Sequence, residues 1–221
     1  MEKPRLAITG DFQIQEFSNL CQKFNVLHVP RPQSYAEIAD LIAQSAYYIL
    51  GGPETLDKRL LRSAKSLKAV AVMGTGTASF IDISAAQELG IAIYNVPQVN
   101  AECVAEFAYS VMYLSQAQIF HSIDQLKRKA SWLQTPRPRF SQNHIGILGL
   151  GACARALIQQ LRRNGVKKIS YYSRTRDMQF EKEQEVRYLK LGEIAKTCDI
   201  LSIHISMNES SRHLIGSSFF Q

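Results

Sequence analysis

Cysteine is sparse and unpatterned: Cys21, Cys103, Cys153 and Cys198 show neither a C-x-x-C pair nor a zinc-ligand spacing. A disulfide framework and a structural metal are therefore excluded as organising devices, and no metal ligand is assigned. No secretory leader is read ahead of them, so reduced thiols and a cytoplasmic location are the expectation. No apolar run approaches the roughly 20 residues of a membrane-spanning helix, and a membrane partner is not expected. Internal repeats and low-complexity tracts are also missing. Acidic residues are outnumbered, giving a formal charge of +7, yet the basic ones are dispersed and carry no zinc-finger or RNA-binding signature. That balance suits an anionic ligand and does not point to nucleic acid.

What is there is an alternation of short apolar runs with helical patterns. Strands are expected at residues 5–9, 24–29, 47–50, 67–73 and 91–94, with helices near 34–44, 56–65 and 83–89 between the later ones. Such alternation predicts a parallel α/β domain. One long helix is expected over residues 100–120 as a connector, and residues 127–143, with Trp132, Pro136 and Pro138, lack periodicity and mark a crossover. The expected division is a first domain over residues 1–118, a crossover over 119–143 and a second α/β domain over 144–221.

The second domain opens on the most informative stretch. An apolar run, Ile145-Gly146-Ile147-Leu148, leads into Gly149-Leu150-Gly151-Ala152-Cys153-Ala154, which has the form G-x-G-x-x-A. Gly149 permits the tight turn, Gly151 leaves bare backbone for a pyrophosphate, and Ala154 lets the following helix pack close to the sheet. That helix, residues 152–163, directs unpaired N–H groups at its start towards an anion and ends at Asn164-Gly165. A glycine turn with a purely structural role is the alternative. Further strands are expected near Ile169, Val186 and Ile200, in the order 3-2-1-4, which leaves the last strand at an edge. The carboxylates over residues 181–185 read as a solvated face.

At the end of the second strand of this domain an NAD site usually carries Asp or Glu for the ribose 2′-OH. Here Ser173-Arg174-Thr175-Arg176 stands instead. Guanidinium groups and hydroxyls can hold a 2′-phosphate that a carboxylate would repel. NADP(H) is thus the preferred cofactor and NAD(H) an open one, because an arginine can also stack on adenine or belong to a solvated basic loop.

Three blocks of sequence resemble the D-isomer-specific 2-hydroxyacid dehydrogenases, in particular the glyoxylate and hydroxypyruvate reductase and phosphoglycerate dehydrogenase branches. The first is Gly74-Thr75-Gly76 with Ile81-Asp82, Ala85-Ala86, Gly90-Ile91, Asn95-Val96-Pro97, Asn100 and Val104-Ala105-Glu106. The glycine turn with Tyr171-Tyr172 and residues 173–176 forms the second. The third runs from Cys198-Asp199-Ile200 through His204 to Arg212-His213-Leu214-Ile215. The resemblance implies a flavodoxin-like substrate domain, a Rossmann cofactor domain and a reaction site between them. It implies that amides at Thr75 and Gly76 bind a substrate carboxylate, and that Thr75 and Cys103 touch cofactor. It also places Gly149, Gly151, Ala152, Cys153, Ser173, Arg174, Thr175, Arg176, His204, Ile205 and Ser206 on the dinucleotide. The implied reaction is hydride transfer between NAD(P)H and a small 2-keto or 2-hydroxy acid, in a homodimer joined through the helix over residues 100–120.

Departures accompany the resemblance. Gln98 stands where Gly is usual, Ser206 where Pro is usual, and Ala78-Ser79-Phe80 where an Asp-Asn pair is common. Neither His204 nor His213 matches the family's catalytic histidine, and Glu106 reads as a structural carboxylate. The family's Arg, Glu and His lie beyond the third block, whereas this sequence stops at Phe219-Phe220-Gln221. A C-terminally truncated chain with a partial Rossmann domain and no assigned catalytic residue is the expectation. The alternative function is a dinucleotide-binding module, a sensor or interaction protein, that binds without turnover.

Overall fold

The computed structural model describes residues 3–32, 34–129, 138–206 and 210–220. Residues 130–137 of the expected crossover, with Trp132 and Pro136, lie outside the described residues. The chain divides into two compact units, Met1–Val99 and Asn100–Gln221.

The first unit follows its alternating pattern. In order it holds β1 (Arg5–Thr9), a 3-10 turn (Ile14–Phe17), α1 (Ser18–Lys23), β2 (Asn25–Val29), α2 (Tyr35–Ala43), β3 (Tyr47–Leu50), α3 (Lys58–Ser63), β4 (Ala69–Val72), α4 (Ile83–Glu88) and β5 (Ala92–Asn95). All strands are parallel in the order β2-β1-β3-β4-β5, the flavodoxin-like order. Three helices start where an oxygen-bearing side chain caps them: Ser34 accepts from the Glu37 N–H, Asp57 from Leu60 and Asp82 from Ala85. Tyr48, Leu50, Val70 and Val72 are buried and pack with Leu60, Leu61, Ala85 and Ala86. A buried polar cluster interrupts this core. Glu54 accepts from the Thr9 hydroxyl and, at 2.9 Å, from the Tyr48 hydroxyl, which burial holds protonated. Gln98 sits at φ 65°, the left-handed region that favours glycine, which accounts for the residue type usual at that position.

The second unit holds α5 (Ala101–Gln116), α6 (Ile119–Lys129), a 3-10 turn (Phe140–Gln142), β6 (His144–Leu148), α7 (Ala152–Arg163), β7 (Lys168–Tyr172), α8 (Met178–Gln184), β8 (Arg187–Tyr188), α9 (Leu191–Thr197), β9 (Ile200–Ile203) and a terminal 3-10 turn (Ser217–Phe220). Its parallel sheet runs β8-β7-β6-β9, so the order 3-2-1-4 stands and β9 is an edge among the described residues. Among the described residues no helix is long and apolar enough to cross a membrane.

Three expectations need correction. The single helix over residues 100–120 is two helices, because Gln118 takes φ 52° and turns the chain; the second continues to Lys129, into the stretch read as aperiodic. The unit boundary falls at Val99, not at residue 118. Ala105 and Met112 of α5 are buried in one cluster with Leu157, Ile158 and Leu161 of α7, so α5 belongs to the second core. Small residues make this possible: Ala101, Ala105 and Ala154 are buried and let helices approach closely. Finally, Glu181 departs from the expected solvated face, since its side chain is only 12% exposed and is paired with Arg176, whereas Glu183 and Glu185 are exposed as expected.

Ile158 is fully buried at the centre of that cluster. Ile158→Ala is expected to lower the stability of the second unit by about 2–5 kcal/mol, read from the urea midpoint at constant slope.

Candidate functional site

The carboxyl ends of β6, β7 and β9 converge on a cavity of about 340 Å³, a ligand-sized volume. The glycine turn forms its floor. Gly149 adopts φ 91°, and a Cβ there would lie 2.5 Å from the His204 carbonyl oxygen, so both conformation and crowding require glycine. Its N–H donates to the Tyr172 carbonyl at 2.7 Å, while the His204 N–H donates to Leu148 at 2.7 Å. Gly151 is different in kind: a Cβ there would meet nothing within 4 Å. Open space over bare backbone is what an approaching pyrophosphate needs. Gly151 also N-caps α7 without any side-chain hydrogen bond, so the first N–H groups, at Ala152 and Cys153, carry the positive end of a 12-residue helix.

Of the residues expected at a dinucleotide, Gly149, Gly151, Ser173, Arg174, His204, Ile205 and Ser206 all line this cavity. Ala152 and Cys153 stand directly behind the turn as the first residues of α7. Thr175 and Arg176 do not line it. Arg176 is turned to Glu181, donating twice at 2.8 Å, and lies over the Tyr188 ring at 5.6 Å. The four-residue loop read as one phosphate clamp is thus divided. Arg174 faces the cavity, where its Nη1 approaches Ser210 Oγ at 3.5 Å, and Arg176 anchors the loop from outside. Cys103 is exposed on the first turn of α5.

Sequence reasoning missed Ser210, Ser211 and Leu214, which complete the wall. Ser211 donates to the Ser206 carbonyl at 2.8 Å and so joins this turn to the segment after β9. The signal was the Arg212-His213-Leu214-Ile215 block, which contains Leu214 and follows the two serines, and to which no role was attached. Burial pushes the His204 imidazole below its usual range, so it is neutral at neutral pH, with Nε2 at 2.9 Å from Ser202 Oγ. Cys198 is structural, because its sulfur would lie 2.9 Å from a Cβ at Gly146 and burial raises its thiol.

A hydrogen-bond network holds the loop beyond the cavity. The Tyr171 hydroxyl, pushed up to about 12 by burial, donates to Glu181 at 2.8 Å and accepts from the Asp177 N–H at 2.9 Å. Asp177 caps α8 through the Phe180 N–H at 3.0 Å and accepts from Arg155 at 2.8 Å. The Arg176 guanidinium holds the Glu181 carboxyl low, and the Phe180 amide and then Arg155 do the same for Asp177.

In the first unit, Thr75 and Gly76 lie on the exposed turn after β4. Asn95 Nδ2 donates to the Thr75 carbonyl at 2.8 Å. A second cavity, of about 560 Å³, lies in the same unit between Gly10, Arg31, Tyr35, Gly52 and Glu54 and includes neither of them. Among the described residues no cluster of three or more His, Cys, Asp or Glu could hold a metal ion.

Comparison with known proteins bears on the family and the fold. The sequence profile described as "D-isomer specific 2-hydroxyacid dehydrogenase, NAD binding domain" matches residues 110–221. A glyoxylate reductase of Aeropyrum pernix is 28% identical over 99% of this chain and 68% of its own length. One from Thermococcus litoralis is 30% identical over 74% of this chain and 51% of its own. The chain therefore spans between half and about two thirds of the curated relatives it matches. Among solved structures, a glyoxylate reductase from Paecilomyes thermophila superposes with TM-score 0.79 at 24% identity, covering 99% of this chain and 70% of that one. Apo D-lactate dehydrogenase of Escherichia coli gives 0.76 at 21%, covering 98% and 70%. These two likenesses concern the fold.

Both depressed carboxylates contribute stability that is fully present above the ordinary carboxylate pKa and lost as pH falls through their lower folded values. The second unit is therefore expected to hold its stability down to about pH 5 and lose it progressively below about pH 4. Glu181→Gln should flatten this acid limb in urea titrations run across pH; an unchanged limb would remove Glu181 from the account.

Proposed function

The chain belongs to the D-isomer-specific 2-hydroxyacid dehydrogenase family, and from that premise we propose that it is an NADP(H)-preferring reductase of a small 2-keto acid. One observation carries the cofactor preference. Arg174, with Ser173 beside it, lines the cavity at the end of β7, where a carboxylate would be needed for a bare ribose hydroxyl. A 2′-phosphate there would meet a guanidinium and the hydroxyls of Ser173 and Ser210. Arg176 supports this indirectly by holding the loop. The turn at Gly149 to Gly151 and the start of α7 would take the pyrophosphate, with Ile205 and Ser206 on the adenosine side.

A bound nicotinamide supplies the hydride. This chain's own residues bind and orient. The N–H groups of Thr75 and Gly76, with no protein partner among the described residues, suit a substrate carboxylate. Thr75 and Cys103 are assigned to the nicotinamide side by family likeness. Neither His204, tied to Ser202, nor Glu106, exposed on α5, is given a proton-transfer role. Glyoxylate is the substrate class to test, from the names of the curated relatives.

The reading includes a homodimer and a cytoplasmic location. Phe107 on α5 and Phe120 on α6 are 72% and 70% exposed, and Val111, Tyr113, Ile123 and Leu126 on the same two helices are exposed as well. Sedimentation at rising concentration should show a dimer, and a monomer throughout would remove this part.

The cofactor assignment is tested by calorimetric titration with NADPH and NADH, followed by glyoxylate with absorbance monitoring. NADPH is expected to bind roughly 10- to 100-fold more tightly than NADH, from charge-assisted hydrogen bonds to the phosphate, and Arg174→Gln should abolish the difference. Equal affinities would overturn the preference. Binding without turnover would favour the module that only binds.

A further inference from the structure

Arg155 occupies an electrostatically awkward place. It is the fourth residue of α7, close to the positive end of the helix, where a cation opposes the macrodipole. The structure compensates it three times. Its Nη2 donates to Asp177 Oδ2 at 2.8 Å, its Nε donates to the Leu150 carbonyl at 3.2 Å, and its guanidinium lies over the Phe180 ring, 4.4 Å from the centroid.

These partners belong to different parts of the cavity's frame. Leu150 is the middle residue of the glycine turn, and its carbonyl is the negative end of a peptide in that turn. Arg155 engages that carbonyl, leaving the turn's amide face to the anion. Asp177 ends the loop that carries Arg174. It is fixed further by the buried Tyr171 hydroxyl at 2.9 Å and by capping Phe180 at 3.0 Å. Arg176, its neighbour, is clamped on Glu181. A single guanidinium therefore ties the floor of the cavity to the far end of its arginine-bearing wall.

We propose that Arg155 is a positioning residue for selection of the 2′-phosphate: through Asp177 it sets the distance from the glycine turn to Arg174, so that pyrophosphate and 2′-phosphate are met together. This rests on the reading of Arg174 given above. Arg155 itself acts through the loop and does not line the cavity.

The decisive variant is Asp177→Asn. Asparagine caps a helix as well as aspartate does, so α8 keeps its start while the ion pair is lost. Simple electrostatics and positioning then predict opposite signs. Removing a negative charge near the site should tighten a phosphate-bearing ligand. Loss of positioning should weaken it. Measured by titration of the full chain with 2′,5′-ADP and with AMP, Asp177→Asn is expected to bind 2′,5′-ADP about tenfold more weakly, as expected where one charge-assisted contact is misplaced. AMP affinity is expected to stay within about threefold, and Arg155→Gln should behave alike. In an Arg174→Gln background, Arg155→Gln should cause no further loss of discrimination, because it acts through Arg174.

Outcomes separate the two ideas. If the wild-type chain does not prefer 2′,5′-ADP over AMP, the Arg174 reading falls and this inference with it. If it does, but Asp177→Asn keeps or raises the preference, the inference alone is overturned. Should Asp177→Asn fail to fold by circular dichroism, Arg155→Gln decides, a retained preference overturning the inference.

Discussion

The cavity of the second unit is hung from the crowding at Gly149. Its N–H is taken by the end of β7, and its missing side chain is replaced by the carbonyl that follows β9, 2.5 Å from where a Cβ would stand. Three strands thus close on one α-carbon. The chain can leave β6 only by the left-handed turn observed, and that turn aims α7 back across the sheet with its amide end uncapped. The apolar burial of Leu157, Ile158 and Leu161 then holds the helix there. An uncapped helix start facing a cavity and a hydrophobic core are consequences of the same turn.

Charge is distributed around this turn by division of labour. Two arginines a residue apart do different things because β7 ends between a cavity and a buried tyrosine. Arg174 falls on the cavity side. Arg176 falls on the side of Tyr171 and Glu181, where it closes a bidentate pair. A basic dipeptide repeat in the sequence therefore carries one cavity-facing cation and one structural one.

This is also where sequence reading stopped. The alternation of β and α and the glycine turn were legible because period and small residues act locally, whereas the order 3-2-1-4 came from the dinucleotide-binding pattern and the flavodoxin-like first sheet from the family resemblance. Ser34 announces its helix, and Gly149 and Ala154 announce theirs. The partner of Arg176 was not legible, because Glu181 sits among acids that look solvated until Tyr171 is known to lie beneath it. Ser210 and Ser211 reach the cavity only through the fold after β9. The break at Gln118 escaped because the apolar pattern continues across it, and the boundary at Val99 because α5 buries its alanines against a helix about fifty residues later.

The central claim is that the turn from Gly149 to Gly151 and the start of α7 receive the pyrophosphate of a dinucleotide. Backbone amide NMR of the labelled chain during titration with NADPH tests it directly. The account predicts saturable shifts at the amides of Gly151, Ala152 and Cys153, with companions at Arg174 and Ser206, while Ile8 and Val70 in the first core stay unmoved. Saturable binding that leaves Gly151 to Cys153 unshifted would contradict it.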